Sequence, residues 1–86
     1  MSSVETKTKI KEMLATRLKL TIKPEEIEDD EPLFGPGRLS FDSIDALEIV
    51  VGLQKEFGCI IDNKDKAEKI LISVNTVAEF VESEAQ

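Results

Sequence analysis

The chain has 86 residues, a formal net charge of −7, no histidine and one cysteine. Its length predicts one domain, residues 1–86, with a modest core, and one cysteine cannot form an intrachain disulfide. The charge disfavours binding to nucleic acid or anionic membranes and favours partners with basic patches, while the lack of histidine removes the usual neutral-pH general base and the commonest metal ligand.

The first predicted helix runs from Val4 to Leu20. Its apolar residues keep helical spacing, and lysines and an arginine fill the opposite face. The apolar set is Ile10, Met13, Leu14 and Leu18.

A long segment without periodicity follows, from residue 21 to residue 42. Pro24, Pro32 and Pro36 interrupt helices in this segment, and Pro24 with the acids after it can open one short helical turn. The acidic run at residues 25–31 lacks the spacing and the glycine of a calcium loop, so we expect a solvated loop and no metal site. Six apolar residues are predicted to hold the segment against the bundle: Ile22, Ile27, Leu33, Phe34, Leu39 and Phe41.

The second predicted helix, Ser43 to Phe57, is the centre of the chain. Asp42 is its predicted N-cap and Gly58 its C-cap. On a helical wheel its apolar residues form two stripes on opposite sides instead of the usual one. The predicted core stripe contains Ala46, Ile49, Val50, Leu53 and Phe57. The second stripe contains Ile44, Leu47 and Val51, together with Glu48 and Lys55.

An 86-residue chain has little left to cover a second apolar face, and charged residues lie within this one. We therefore predict that the second stripe is an exposed docking surface rather than the buried side of a central helix.

The remaining residues predict two shorter helices. Cys59 is expected to be a small buried hydrophobe. A short third helix is predicted from Asn63 to Ile70, and a last helix from Thr76 to Glu82, opened by a capping box of Thr76 and Glu79. The predicted fold is all-α: a small four-helix bundle with a long first loop and a short third helix.

Asp42-Ser43-Ile44 resembles the Asp-Ser-Leu/Ile signature of acyl and peptidyl carrier proteins. The surrounding sequence is similar as well: a proline-containing loop before the serine, a Leu/Val-rich helix after it, then Glu56-Phe57-Gly58 and a short charged helix. The similarity extends over nearly the whole chain.

The resemblance implies that a phosphopantetheinyl transferase attaches 4′-phosphopantetheine to the Ser43 hydroxyl, next to Asp42 and Ile44. The arm's thiol would then carry an acyl group as a thioester. The dipole and free N–H groups of a helix start would partly offset the phosphate charge. The acids Asp42 and Asp45 would repel it, so they are better interpreted as capping and recognition groups.

The resemblance also implies where partners and cargo bind. Acyl-transferring and condensing enzymes with basic patches would dock on the exposed side of the second helix, and the core stripe given above would shelter an acyl chain. The docking residues would be Asp42, Ile44, Asp45, Leu47, Glu48 and Val51.

Two features depart from the usual family pattern. The third helix carries Lys64, Lys66 and Lys69, where related proteins are often acidic, and the loop at residues 33–40 is long and contains Arg38. They favour a specialised carrier with its own partners, although the lysines could equally form a solvated face paired with Asp65 and Glu68.

The sequence thus predicts a freestanding, monomeric acyl carrier for fatty acid, lipid or polyketide-type biosynthesis, not an enzyme. No signal peptide or membrane-spanning segment is visible, which favours the cytoplasm. Two alternatives remain: a peptidyl or aminoacyl carrier for an adenylating enzyme, and an unmodified helical adaptor that binds through its apolar stripe.

Overall fold

A computed structural model describes residues 4–34, 39 and 41–84. Four helices follow one another along the chain, with a short 3-10 turn in the first loop. They are α1 (Val4–Arg17), the turn (Pro24–Glu26), α2 (Ser43–Phe57), α3 (Lys64–Ile70) and α4 (Val74–Glu84). Extended structure in the described ranges is limited to one isolated bridge, between Phe34 and Phe41. The predicted all-α bundle is confirmed. Arg38 and Pro36, which the sequence analysis singled out in the long loop, lie outside the described residues.

One hydrophobic core holds the helices together. α1 packs most extensively against α4 and also contacts α2, and α3 contacts α4. Side chains with almost no exposed area come from three of the helices and from the first loop, and burial of such aliphatic groups is the main stabilising term of a small domain. The largest of them are Ile10, Leu14, Ile27, Leu33, Ile49, Leu53, Val74 and Val77.

The long first loop is fastened to the bundle by its apolar residues and by its backbone. The six residues predicted for this role are all buried or partly buried against the core. The N–H of Leu33 donates to the carbonyl of Ile72 at 2.9 Å, and the N–H of Phe41 donates to the carbonyl of Leu33 at 2.9 Å. These two bonds fix Leu33 against the segment before α4 and Phe41, just before α2, against Leu33.

Asp29 ties this loop to two helices at once. Its carbonyl accepts from the N–H of Asn75 at 2.9 Å, and its carboxylate pairs with Lys11 at 2.6 Å and Lys7 at 3.5 Å. The hydrogen bond from Lys11 is the main cause that lowers the pKa of Asp29. Burial opposes it, and the charges of Lys11 and Lys7 add to the lowering. The acidic run thus contributes one structural anchor.

The structure ends α1 at Arg17, three residues before the predicted end. Lys19 adopts a left-handed conformation with φ 50°, and the N–H of Leu20 donates to the carbonyl of Ala15 at 3.0 Å. These features describe a Schellman termination in which lysine takes the position that glycine usually occupies. The apolar pattern continued through Leu18 and Leu20, so it gave no sign of the stop.

The last helix begins two residues earlier than predicted. Ser73 and Thr76 form the reciprocal capping pair: Ser73 Oγ accepts from the N–H of Thr76 at 3.4 Å, and Thr76 Oγ1 accepts from the N–H of Ser73 at 3.0 Å. Thr76 Oγ1 also donates to the carbonyl of Ile70 at 2.6 Å. The predicted capping box of Thr76 and Glu79 is therefore wrong, because Thr76 is already the third residue of the helix.

Cys59 is buried, as predicted. Its Sγ lies 3.8 Å from the carbonyl of Phe57, and burial together with the charge of Glu84 raises the pKa of the thiol. A thiol with a raised pKa is less often in the reactive thiolate form.

Candidate functional site

The exposed hydroxyl of Ser43 stands at the first turn of α2, and the residues around it cap the helix. Asp42 Oδ1 accepts from the N–H groups of Ile44 and Asp45, both at 3.0 Å, and Asp45 Oδ2 accepts from the N–H of Asp42 at 3.0 Å. The predicted N-cap is confirmed. The reciprocal bond from Asp45 was not predicted, although an acid three residues after a cap is the signal for one.

This capping corrects the expectation that the N–H groups at the start of α2 are free. Free N–H groups at the start of the helix were expected to offset a negative group on Ser43. The N–H groups of Ile44 and Asp45 already donate to Asp42, so they are not free for that purpose. The same acid that starts the helix adds a negative charge beside the hydroxyl.

Two large apolar side chains of the predicted docking stripe point into solvent. Ile44 is 72% exposed and Leu47 is 67% exposed, whereas Val51 is half-buried. Exposed aliphatic side chains next to one another on a helix are typical of a contact surface. Glu48 lies beside them and its carboxylate is 3.7 Å from Nη1 of Arg17 on α1.

Gly52 is the residue of α2 whose role the sequence did not reveal. A Cβ at this position would lie 2.7 Å from Cδ of Arg17 and 2.8 Å from Sδ of Met13. These distances are closer than van der Waals contact, so the absence of a side chain allows α1 to pack closely and Arg17 to reach Glu48. A glycine inside a helix is a recognisable signal of close approach.

The buried face of α2 includes Gly52 and is therefore shifted to one side of the predicted core stripe. Ile49 and Leu53 are fully buried, whereas Ala46, Val50 and Phe57 are only partly buried. Ala46 and Val50 line a cleft toward α3, and Phe57 lines a separate groove against α1.

The cleft between α2 and α3 has a volume of about 710 Å³. Ser43 and Leu47 lie on its α2 side, Pro32 and Phe34 of the first loop border it, and apolar residues form most of its lining. Pockets of about 300–1,000 Å³ with mostly apolar walls are typical of small-molecule sites. Of the five residues expected to shelter an acyl chain, Ala46 and Val50 line this cleft, and Ile49, Leu53 and Phe57 do not.

The opposite rim of the cleft is polar and belongs to the start of α3. Its polar residues are Asp62, Asn63, Lys64 and Glu68. Asn63 caps α3, because its Oδ1 accepts from the N–H of Lys66 at 2.7 Å. The ammonium of Lys66 lies 5.4 Å from the ring centre of Phe80, a cation–π distance that holds α3 against α4.

Clusters suited to a metal ion and helices suited to a membrane are both absent from the described part of the chain. It contains no group of three or more Cys, Asp or Glu side chains placed to hold a metal ion. None of its helices combines the length and the apolar composition that a bilayer crossing requires.

Comparison with known proteins agrees with this architecture. A family model described as "Phosphopantetheine attachment site" matches residues 8–82. Proteins named "Acyl carrier protein" from Bradyrhizobium sp. (strain ORS 278), Bradyrhizobium sp. (strain BTAi1) and Nitrobacter hamburgensis are each 31% identical over 67 residues. The aligned residues cover 78% of this chain and 80% of each relative.

Proposed function

Because the chain belongs to the acyl carrier protein family, whose members hold 4′-phosphopantetheine covalently, we propose that this arm is attached to Ser43 and carries acyl groups as thioesters. The observation that carries the proposal is the place of Ser43: an exposed hydroxyl on the rim of an apolar cleft, within the matched residues. Ser43 is open to a modifying enzyme, and the cleft is large enough for an arm or its cargo.

Attachment needs little from the chain itself. In the transferase, the Ser43 oxygen would attack the phosphorus that carries the pantetheine in coenzyme A. A new P–O bond forms, the pyrophosphate bond breaks, and the adenosine bisphosphate leaves with the electron pair while the transferase takes the serine proton. The arm supplies a thiol for thioester exchange, and Ser43 supplies the anchoring oxygen on a firmly capped helix. The chain thus acts as a carrier and leaves catalysis to its partners.

The docking surface proposed for those partners combines charge and apolar contact. Asp42 and Glu48 are exposed, and Ile44 and Leu47 stand between them with most of their surface in solvent. Basic patches on a transferase or a condensing enzyme would be attracted by the acids, and the aliphatic side chains would fill apolar recesses. Glu48 is already close to Arg17, so its contribution is expected to be weaker than that of Asp42.

The proposed cargo is an acyl group used in fatty acid, lipid or polyketide-type biosynthesis. The relatives named acyl carrier proteins support an acyl cargo over an aminoacyl one. The cleft walls supplied by Ala46, Val50 and Leu71 suit a hydrocarbon chain, since they offer apolar area close to the anchoring oxygen. The cytoplasmic location stays a prediction.

Intact-mass spectrometry tests the attachment directly. The protein is incubated with coenzyme A and a broad-specificity phosphopantetheinyl transferase, and one arm per chain is expected. Ser43→Ala should abolish the adduct, while the matched control Ser83→Ala, at an exposed serine of α4, should keep it. An adduct that survives Ser43→Ala contradicts the proposed site, and no adduct on the wild type contradicts the function.

A second step separates acyl from aminoacyl cargo. The loaded protein is offered in parallel to an acyl carrier protein synthetase with a fatty acid and to adenylation domains with amino acids. Formation of the acyl thioester alone is the expected result, and exclusive aminoacylation would contradict an acyl carrier role.

A further inference from the structure

The attachment point at Ser43 has an unbalanced electrostatic environment. The exposed Asp42 precedes it, and the partly buried Asp45 follows two residues later in the first turn of the helix. The N–H groups of Ile44 and Asp45, which could have bound an anion, donate to Asp42. A phosphodiester on Ser43 would add one more negative charge at this place, so a cation from elsewhere in the chain would stabilise it.

Lys64 is placed to supply that cation. It is the only basic residue among those described as lining the cleft, and it stands on the rim across from Ser43. Asp62 and Glu68 lie on the same rim, but neither forms an ion pair with Lys64 among the contacts of the described residues. Its side chain is exposed and carries the charge on a flexible four-carbon stem.

The other cations near the bundle surface have different surroundings. Lys66 lies over the ring of Phe80, and Arg17 reaches Glu48 on the far side of α2. Lys69 is exposed on α3 but does not line the cleft, which makes it a matched control for charge on the same helix.

We propose that the ammonium of Lys64 pairs with the phosphodiester of the arm and folds the arm along the cleft between α2 and α3. This inference rests on the proposed attachment to Ser43. A basic patch on a docking partner would compete with Lys64 for the same phosphate and so release the arm toward the partner's active site. In the free carrier Lys64 thus makes the ion pair with the phosphodiester that basic residues of the partner make in the complex.

Phosphorus NMR of the arm-loaded protein, with loading confirmed by intact mass, tests the proposal. Lys64→Gln should shift the phosphodiester resonance and lower its transverse relaxation rate, because the phosphate becomes more mobile. Raising the salt to about 1 M, where the Debye length is about 3 Å, should move the wild-type resonance in the same direction. Lys64→Arg should retain the wild-type position, and Lys69→Gln should leave it unchanged.

Each other outcome counts against the pairing. Identical resonances and relaxation rates for the wild type and Lys64→Gln would overturn it, as would an equal effect of Lys69→Gln, which indicates a general field instead of a contact. If Arg38→Gln shifts the phosphodiester resonance and Lys64→Gln does not, the counter-ion of the phosphate is Arg38 of the first loop and the proposal is refuted. Absence of the arm from the wild-type mass would refute the proposed function itself, whereas a loaded but unresponsive protein refutes only the role of Lys64.

Discussion

Leu47 and Leu53 provide a matched test of the two faces of α2. They are the same residue type on one helix, but Leu53 has no exposed area and Leu47 is 67% exposed. Leu53→Ala leaves a cavity in the core and should cost about 2–5 kcal/mol. That is a large share of the roughly 4–13 kcal/mol expected for a domain of this size.

The same change at Leu47 should cost far less. Only about a third of this side chain is removed from water, and full burial of a leucine is worth about 1.5–3 kcal/mol. Truncation therefore removes less than about 1 kcal/mol, and the better helix propensity of alanine offsets part of that loss.

Urea unfolding followed by circular dichroism measures both values, and the rate of arm transfer by a phosphopantetheinyl transferase measures function. We expect Leu47→Ala to fold normally but to be loaded more slowly, since an apolar contact with the enzyme is lost. Leu53→Ala, assayed where it remains folded, should be loaded at a near-normal rate. A Leu47→Ala protein destabilised by more than about 2 kcal/mol, beside a near-neutral Leu53→Ala, would show that the two faces are inverted.

Substitutions at four further positions test the helix ends and the loop anchor. Asp42→Ala should lower the free energy of unfolding by about 1 kcal/mol through loss of the N-cap, whereas Asp42→Asn, which can still cap, should change it by only a few tenths in urea unfolding. Gly58→Ala should cost about 1–2 kcal/mol, since φ is 71° and a Cβ there would meet no neighbour, so a neutral result would contradict the backbone-strain explanation. Lys19→Gly should raise the melting temperature, because relief of left-handed strain outweighs the added chain entropy by up to about 1 kcal/mol. The pKa of Asp29 is lowered in the folded state, mainly by Lys11. Its carboxylate therefore contributes stability above its unfolded pKa of about 3.9, and this stability is lost as the pH falls through the folded pKa. Asp29→Asn should flatten the dependence of the unfolding free energy on pH below about pH 4 and should lower that free energy at neutral pH.

The sequence predicted α2 to the residue because both its ends are set by local chemistry. An acidic N-cap before Ser43 and a glycine after Phe57 act through their own backbone and side chains. α3 ends at Ile70 as predicted but begins one residue later than predicted, because Asn63 is its N-cap and not its first residue. Such signals are visible without any knowledge of tertiary contacts.

The ends of α1 and α4 could not be read in this way. Lys19 takes a conformation that its residue type disfavours, and it does so where Leu18 and Leu20 pack against the core. Tertiary burial therefore overrides local preference at that turn. Ser73 and Thr76 were both available as caps, and the sequence alone did not show that the hydroxyl of Thr76 would also bond the end of α3.

The sequence predicted only part of the buried face of α2, again because tertiary packing decides it. A helical wheel weighs apolar side chains and gives no weight to glycine, yet a Cβ at Gly52 would lie within 2.8 Å of both Arg17 and Met13 of α1. Close packing at that point buries Ile49 and Leu53 and leaves Ala46 and Val50 facing α3. Ala46 and Val50, which were predicted to belong to the core stripe, therefore line the cleft beside Ser43 instead.

The acids at the start of α2 can serve the helix and a partner at the same time. A carboxylate offers about four acceptor positions, and Asp42 uses one oxygen for two N–H groups while Asp45 uses one oxygen for a single N–H. The acceptor positions that these bonds leave unused are available to the basic surface of a partner. Because the cap fixes both carboxylates within one turn of Ser43, the repulsion they exert on a phosphodiester is built into the helix start and cannot be relaxed by rotating them away. Relief of that repulsion beyond what the dipole of α2 supplies would come from Lys64 in the free carrier and from basic residues of the enzyme in the complex.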